Sequence, residues 1–268
     1  MVKVIFFDVD GTLISHVQKN ISESTKKALN ILYEKGIKRV IATGRHMNEL
    51  SLLPVSNIDF DAYITLNGQL CLNANGDIIL ENPIIGEDKE RIIELFKEKT
   101  IPIMLVEKNR MYINFINQHV EQAQQAISTS VPEIDVYTGN EIYQAIAYVE
   151  NGNEKVIAKY LSNCKITRWN DYAVDIITNS GGKVLGVQEY LKINNIVRKE
   201  TMAFGDGEND IEMLRYVHTG IAMGNADEIT KENADYITQN VDNNGIMKAL
   251  LTLKIIKSED LTSSDWSR

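Results

Sequence analysis

Cysteine, proline and histidine are all scarce, with two, four and four copies in 268 residues. Cys71 and Cys164 lie far apart and have no CxxC or Cys/His companions, which excludes a zinc site and a disulfide framework and fits reduced thiols in a cytoplasmic setting. His16, His46, His119 and His218 lack the i, i+4 spacing of a metal pair, so no ligand role is assigned to them. No apolar run approaches the ~18 residues of a membrane helix. The apolar opening Met1–Phe7 stops at Asp8, too soon for a signal peptide, so export is not expected. An excess of basic residues is also missing. The net charge of -9 argues against nucleic acid as a partner, because such proteins carry a basic face. It leaves room for a small anionic substrate, since a few placed cations or a divalent metal can hold a phosphate inside an acidic protein.

What remains is ordinary globular composition, 44% hydrophobic and 24% charged, and a regular alternation of elements. Val4–Phe7, Arg39–Ala42, Ala62–Leu66 and Met202–Phe204 are short continuous apolar runs bounded by Gly, Asn or Asp, the form of strands buried on both faces of a parallel sheet. Ser22 is placed to cap a helix with the apolar stripe Ala28, Leu29, Leu32 and Tyr33, closed by Gly36. Val184, Val187, Gln188 and Leu191 mark one face of a later helix, and Ile211, Leu214 and Val217 mark another. The middle reads differently. A hairpin over 101–116, strands at 143–149 and 173–177, and helices near 88–97, 118–127 and 154–161 describe an α+β insert. Its aromatics, Tyr143, Tyr148, Trp169 and Tyr172, read as core or sheet surface.

The strongest chemical signal is Asp8-Val9-Asp10-Gly11-Thr12-Leu13, directly after the first apolar strand. Two carboxylates at i and i+2 share one side of a strand, and ligands of open α/β sheets bind beyond the carboxyl ends of strands. A turn would explain Asp-Gly alone. It does not explain the second acidic cluster, Gly205-Asp206-Gly207-Glu208-Asn209-Asp210, which ends another strand. Asp8, Asp10 and Asp206 at one sheet edge would repel one another unless a cation lay among them, and hard oxygen ligands suit magnesium.

The sequence Asp-Val-Asp-Gly-Thr-Leu, then Ala-Thr-Gly-Arg at 42–45, then Lys183 opening a helix, then Gly-Asp-Gly-Glu-Asn-Asp, resembles the haloacid dehalogenase phosphatases. The insert between the second and third motifs, with Ile64–Gly68 and Asp175–Lys183, is similar to the Cof-like branch with a type IIB α/β cap. The resemblance implies a magnesium-dependent phosphatase acting on a small phosphorylated metabolite through an aspartyl-phosphate on Asp8. It makes Asp8 the nucleophile and a metal ligand. Asp10 would give its backbone carbonyl to the metal and its side chain to proton transfer, with Asp206 a further metal ligand. Thr43 and Gly44 would hold phosphoryl oxygens, Lys183 would pair with the phosphate and Asp8, Asn209 would contact phosphate or metal-bound water, and Asp210 would orient Lys183 or a metal ligand. Arg45 is given no role.

The expected fold is therefore α/β: a doubly wound, mainly parallel core from 1–82 and 183–268 with an α+β cap at 83–182, and a loose polar tail from Lys257 to Arg268. Two alternatives keep a phosphorylated aspartate: a phosphomutase or phosphotransferase, and a non-enzymatic receiver-like module. The size and position of the insert disfavour the first. Asp10 disfavours the second, because a long-lived phosphoryl switch has no use for a general acid beside it.

Overall fold

The computed structural model describes residues 1–127 and 129–261. Its thirteen strands, in chain order, are β1 (Val4–Phe7), β2 (Lys38–Ala42), β3 (Ala62–Thr65), β4 (Leu70–Asn73), β5 (Ile78–Glu81), β6 (Ile103–Val106), β7 (Met111–Ile113), β8 (Gln144–Ala147), β9 (Cys164–Asn170), β10 (Ala173–Thr178), β11 (Thr201–Gly205), β12 (Thr219–Ala222) and β13 (Tyr236–Ile237). Eight form a central sheet in the order β13-β12-β11-β1-β2-β3-β4-β5. It is parallel from β13 to β3, and β4 and β5 extend it as an antiparallel hairpin. That hairpin escaped the sequence reading, as did β9, β12 and β13.

The central strands read as unbroken apolar runs because helices cover both faces. Ile5 and Phe7 pack on one side with Leu29, Leu32 and Leu250, while Val4 and Phe6 pack on the other with Val187, Tyr190 and Leu214. Each such side chain, fully buried, contributes about 1.5–3 kcal/mol. Ser22 caps the helix Glu23–Glu34 by accepting from the Thr25 N–H, as expected. Tyr33, however, is 64% exposed. Ile31 takes the inward position, and the Arg39 guanidinium lies 4.8 Å from the Tyr33 ring centre. In the helix Lys183–Ile193 the buried face is Lys183, Gly186, Val187, Tyr190 and Leu191, and Gln188 points to solvent.

The second sheet is antiparallel, ordered β7-β6-β8-β10-β9, with the helix Gly86–Glu98 before its first strand and the helices Gln118–Ala126 and Glu154–Ala158 between its strands in sequence. Leu105, Ala145, Ala147, Val174 and Ile176 pack with Ile92 and Phe96 on one face. Met104, Val106, Ile146 and Ala173 face the other way, onto Leu66 and Leu70 of the central layer. Where the chain leaves the core and where it returns lie together, with Asn82 Nδ2 donating to Thr178 Oγ1 at 2.8 Å. Tyr143 and Tyr148 are buried as expected. The start of the tail is not loose: Ser258–Leu261 forms a 3-10 turn tied back by Lys27 to the Leu261 carbonyl, at 2.6 Å, and by Lys35 to Asp260, at 2.9 Å. The remainder, 262–268, lies outside the described residues.

Candidate active site

Strand register brings the four motifs to one edge. Phe7 is level with Phe204 on one side and Ile41 on the other, so Asp8, Asp206 and Thr43 all leave the sheet within two residues of the same row. The Phe7 and Phe204 rings stack at 5.3 Å beneath them. Lys183 enters from the helix that follows the second sheet. It is 1% exposed, and its Nζ donates to Asp8 Oδ1 at 2.6 Å and to Asp210 Oδ1 at 2.7 Å. Burial works against the charged amine, but Asp210 and Asp8 outweigh it and hold Lys183 above the usual lysine range.

Asp210 is fully committed to the protein. Its second oxygen accepts the backbone N–H groups of Asp206 and Gly207, each at 3.0 Å. Asp8 and Asp206 are less so. Among the described residues Asp8 Oδ2 meets no donor, and Asp206 accepts from Thr12 Oγ1 at 2.9 Å and Asn225 Nδ2 at 3.2 Å. One oxygen from each of Asp8, Asp206 and Asp210 lies within 4.8 Å of the others. Burial pushes the Asp8 carboxyl well above its ordinary range, with Lys183 opposing and Asp210 and Asp206 adding to it. Burial and the neighbouring Asp210 lift Asp206 to about 7. Three carboxylates around one ammonium are short of positive charge, and the open oxygen of Asp8 together with the singly bonded oxygens of Asp206 fits a hard divalent cation such as magnesium.

Asp10 stands apart from this cluster. Both its oxygens are held by Arg45, from Nε at 2.6 Å and Nη2 at 2.8 Å. Arg45 is itself buried, and its remaining nitrogen faces Glu49 at 3.5 Å. Sequence reasoning left Arg45 out. The pairing has a sequence signal only in hindsight, since the Thr-Gly-Arg turn follows the strand next to that of Asp10. Thr43 is buried, and its Oγ1 accepts the Arg45 N–H at 3.1 Å. A Cβ on Gly44 would lie 3.1 Å from the Asn67 amide, so the turn backbone runs close beneath that side chain. Gly11 has φ +79° and no room for a Cβ, which would collide with the Asp206 carboxylate.

Asn67, also unassigned from sequence, sits at φ +53° and joins the two layers. Its Oδ1 accepts from Asn209 at 2.9 Å, and its Nδ2 donates to Asp175 at 2.7 Å and to Gln144 at 3.2 Å. Asp175 and Gln144 belong to β10 and β8 of the second sheet. Asn209 thus meets a neighbouring amide at the cavity wall. Burial raises Asp175 to about 7, with the Asn67 hydrogen bond acting in the opposite direction. The residues enclose a cavity of about 350 Å³ between the layers, floored by Asp8, Thr43 and Asp206 and roofed by the second sheet. Trp169 lines this cavity, so it is more than sheet surface.

A buried aspartate held by lysine at the end of a parallel strand, beside further carboxylates and under an inserted cap, defines a phosphoryl-handling α/β hydrolase. The sequence profile of the haloacid dehalogenase-like hydrolases matches residues 5–250, and the chain belongs to that family as a phosphatase. It is 33% identical over 259 residues to the Bacillus subtilis (strain 168) protein named Putative phosphatase YkrA, covering 95% of this chain and 99% of that one. Its fold matches the solved structure of BT1666, a phosphatase of the same superfamily from Bacteroides thetaiotaomicron, with a TM-score of 0.88 at 33% identity and 96% of each chain covered. It also matches the subclass IIB sugar phosphatase BT4131, with a TM-score of 0.86 at 34% identity and coverage of 95% of this chain and 100% of that one. No helix among the described residues is long and apolar enough to cross a membrane.

Proposed function

We propose that this phosphatase hydrolyses small phosphomonoesters in two steps through Asp8. In the first, an Asp8 oxygen attacks phosphorus, the bond to the leaving oxygen breaks, and Asp10 gives that oxygen a proton. In the second, water attacks the aspartyl phosphate, its proton passes to Asp10, and the Asp8–phosphorus link breaks to release inorganic phosphate. Lys183, Thr43 and the Gly44 backbone hold the phosphoryl oxygens, and Asn209 steadies them through its bond to Asn67. Asp210 keeps Lys183 aimed at Asp8, and Arg45 fixes Asp10 beside the cavity floor. Asp8, Asp206 and the Asp10 backbone carbonyl would hold magnesium, which neutralises charge on the phosphoryl group when bound.

The observation that carries this reading is the amine of Lys183 clasped between Asp8 and Asp210, with Asp206 within reach. We divide the chain into core segments 1–82 and 183–268 around a cap at 83–182. The acidic charge and the unpaired thiols Cys71 and Cys164 support a cytoplasmic setting with metabolites, not nucleic acid, as partners. Phosphate release from a panel of monoesters tests the reaction. It should require magnesium, stop with chelator and vanish in Asp8→Asn. Release that persists in a folded Asp8→Asn variant would refute the covalent route.

A further inference from the structure

The cavity roof constrains what the phosphate is attached to. Antiparallel pairing sets Asp175 opposite Ile146, and Ile146 opposite Met104, so these three share one face of the second sheet. Val106 lies two residues along the same face, and Met111 pairs with it. Met104, Val106, Met111 and Ile146 therefore make an aliphatic wall above the carboxylate floor, continued by Leu66 and Ile127.

The charged groups at that end of the cavity are unbalanced. Glu49 and Asp175 line it, and the guanidinium and ammonium groups beside them each already face a carboxylate. Arg45 gives Nε and Nη2 to Asp10, and its Nη1, which has no hydrogen-bond partner, faces Glu49 at 3.5 Å. Arg168 is bound to Glu154 at 2.6 Å and to the carbonyl oxygens of Val149 and Asn170. His46 accepts the Asn48 N–H at Nδ1 and reaches the Lys108 carbonyl through Nε2 at 2.9 Å, which leaves no donor over. Lys183 belongs to Asp8 and Asp210. His16 lies at the phosphate end, against Gly11. Among the described residues lining the roof, Arg45 and Arg168 each already face a carboxylate, so a second anionic group would meet no unbalanced positive charge and would be desolvated beside Glu49 and Asp175.

Resting on the phosphomonoester reading above, we propose that the leaving group is an uncharged alcohol with an apolar face, carrying no second phosphate or carboxylate. Met104, Val106, Met111 and Ile146 contact the apolar face, and Glu49 and Asp175 reject a second anion. Bisphosphates and phosphorylated acids are then poor substrates whatever their size.

Three primary alkyl esters of matched intrinsic reactivity test this on the magnesium-loaded full chain: 2-phenylethyl phosphate, its para-carboxylate counterpart, and glycerol 1-phosphate. The first should exceed each of the others by at least roughly tenfold in kcat/KM, the scale on which a pocket discriminates by apolar contact and unpaired polar groups. Met111→Lys, which places an ammonium on the edge strand β7, should shrink the ratio between the first two. Equal rates, a preference for the carboxylate or glycerol ester, or an unchanged ratio in Met111→Lys would each overturn the proposal. p-Nitrophenyl phosphate separates the two levels. If it is hydrolysed while the ester ranking fails, only the leaving-group proposal is lost; if no ester including p-nitrophenyl phosphate is hydrolysed, the phosphatase mechanism and the proposal fall together.

Discussion

Replacing Asp175 by Asn should change the pH dependence of stability in a defined direction. Asp175 is 7% exposed and burial raises it to about 7, against ~3.9 in an unfolded chain. Its folded-state value is the higher one, so between these limits the folded protein holds a proton that the unfolded chain has released. The associated stability is complete below pH ~4 and is lost as pH rises through ~7. With ~1.36 kcal/mol per unit, the loss between pH 5 and pH 8.5 is on the order of 3 kcal/mol. Asn has no such titration, and its side-chain oxygen can still accept from Asn67 Nδ2, which now donates at 2.7 Å. Urea unfolding of both proteins in chelator across this range isolates the term, because the titrations of Asp8 and Asp206 cancel in the difference. The variant should gain on the wild type steadily as pH rises. A difference that stays flat from pH 5 to pH 8.5 would show that Asp175 is ionised throughout and that burial does not govern it.

The lysine clasp predicts a metal-linked stability effect. Lys183→Met leaves Asp8 and Asp210 buried without their ammonium, which should cost about 3–5 kcal/mol in chelator and abolish phosphate release; urea midpoints and phosphate assays read both. Lys183→Arg should not rescue release, because the forked guanidinium cannot occupy the point between two carboxylates that Nζ fills. Thr12→Val removes the 2.9 Å hydrogen bond to Asp206 at nearly constant volume. Magnesium titration of activity should then shift by roughly 10–100-fold, as when a ligand loses its orienting partner, and an unshifted titration would place Asp206 outside metal binding.

Much of this arrangement was legible in the sequence because it is carried by short-range pattern. Val4–Phe7 is buried on both faces and therefore reads as a central strand, and the acids that follow it must emerge at the sheet edge. Lys183 opens its helix as expected, and Asp206 leaves β11 as expected. What stayed hidden depends on contacts between distant segments. Arg45 could be given no role because its partner Asp10 is 35 residues away. Asn67 lies just past the strand read at 62–66 and carried no assigned role, and only the fold shows its amide spanning from Asn209 to Asp175. Tyr33 matched the helical stripe of its neighbours yet lies outward, since a stripe fixes the direction of a face but not its width. The hairpin β4–β5 was missed because its outer strand is half exposed and too short for its alternation to stand out.

The insert leaves and rejoins the core at one clasp, where Asn82 meets Thr178. Five residues after Thr178 the chain supplies Lys183. The roof is thus a removable module in the topological sense, since the two cut ends already sit side by side and a short bridge could close them. Exchange with a roof of another shape would alter which alcohols are admitted while the floor kept its chemistry. The junction alone is not interchangeable: the stretch from Thr178 to Lys183 sets the position of the amine between Asp8 and Asp210, so a graft that shifted it by one residue would disarm the floor while leaving both layers folded.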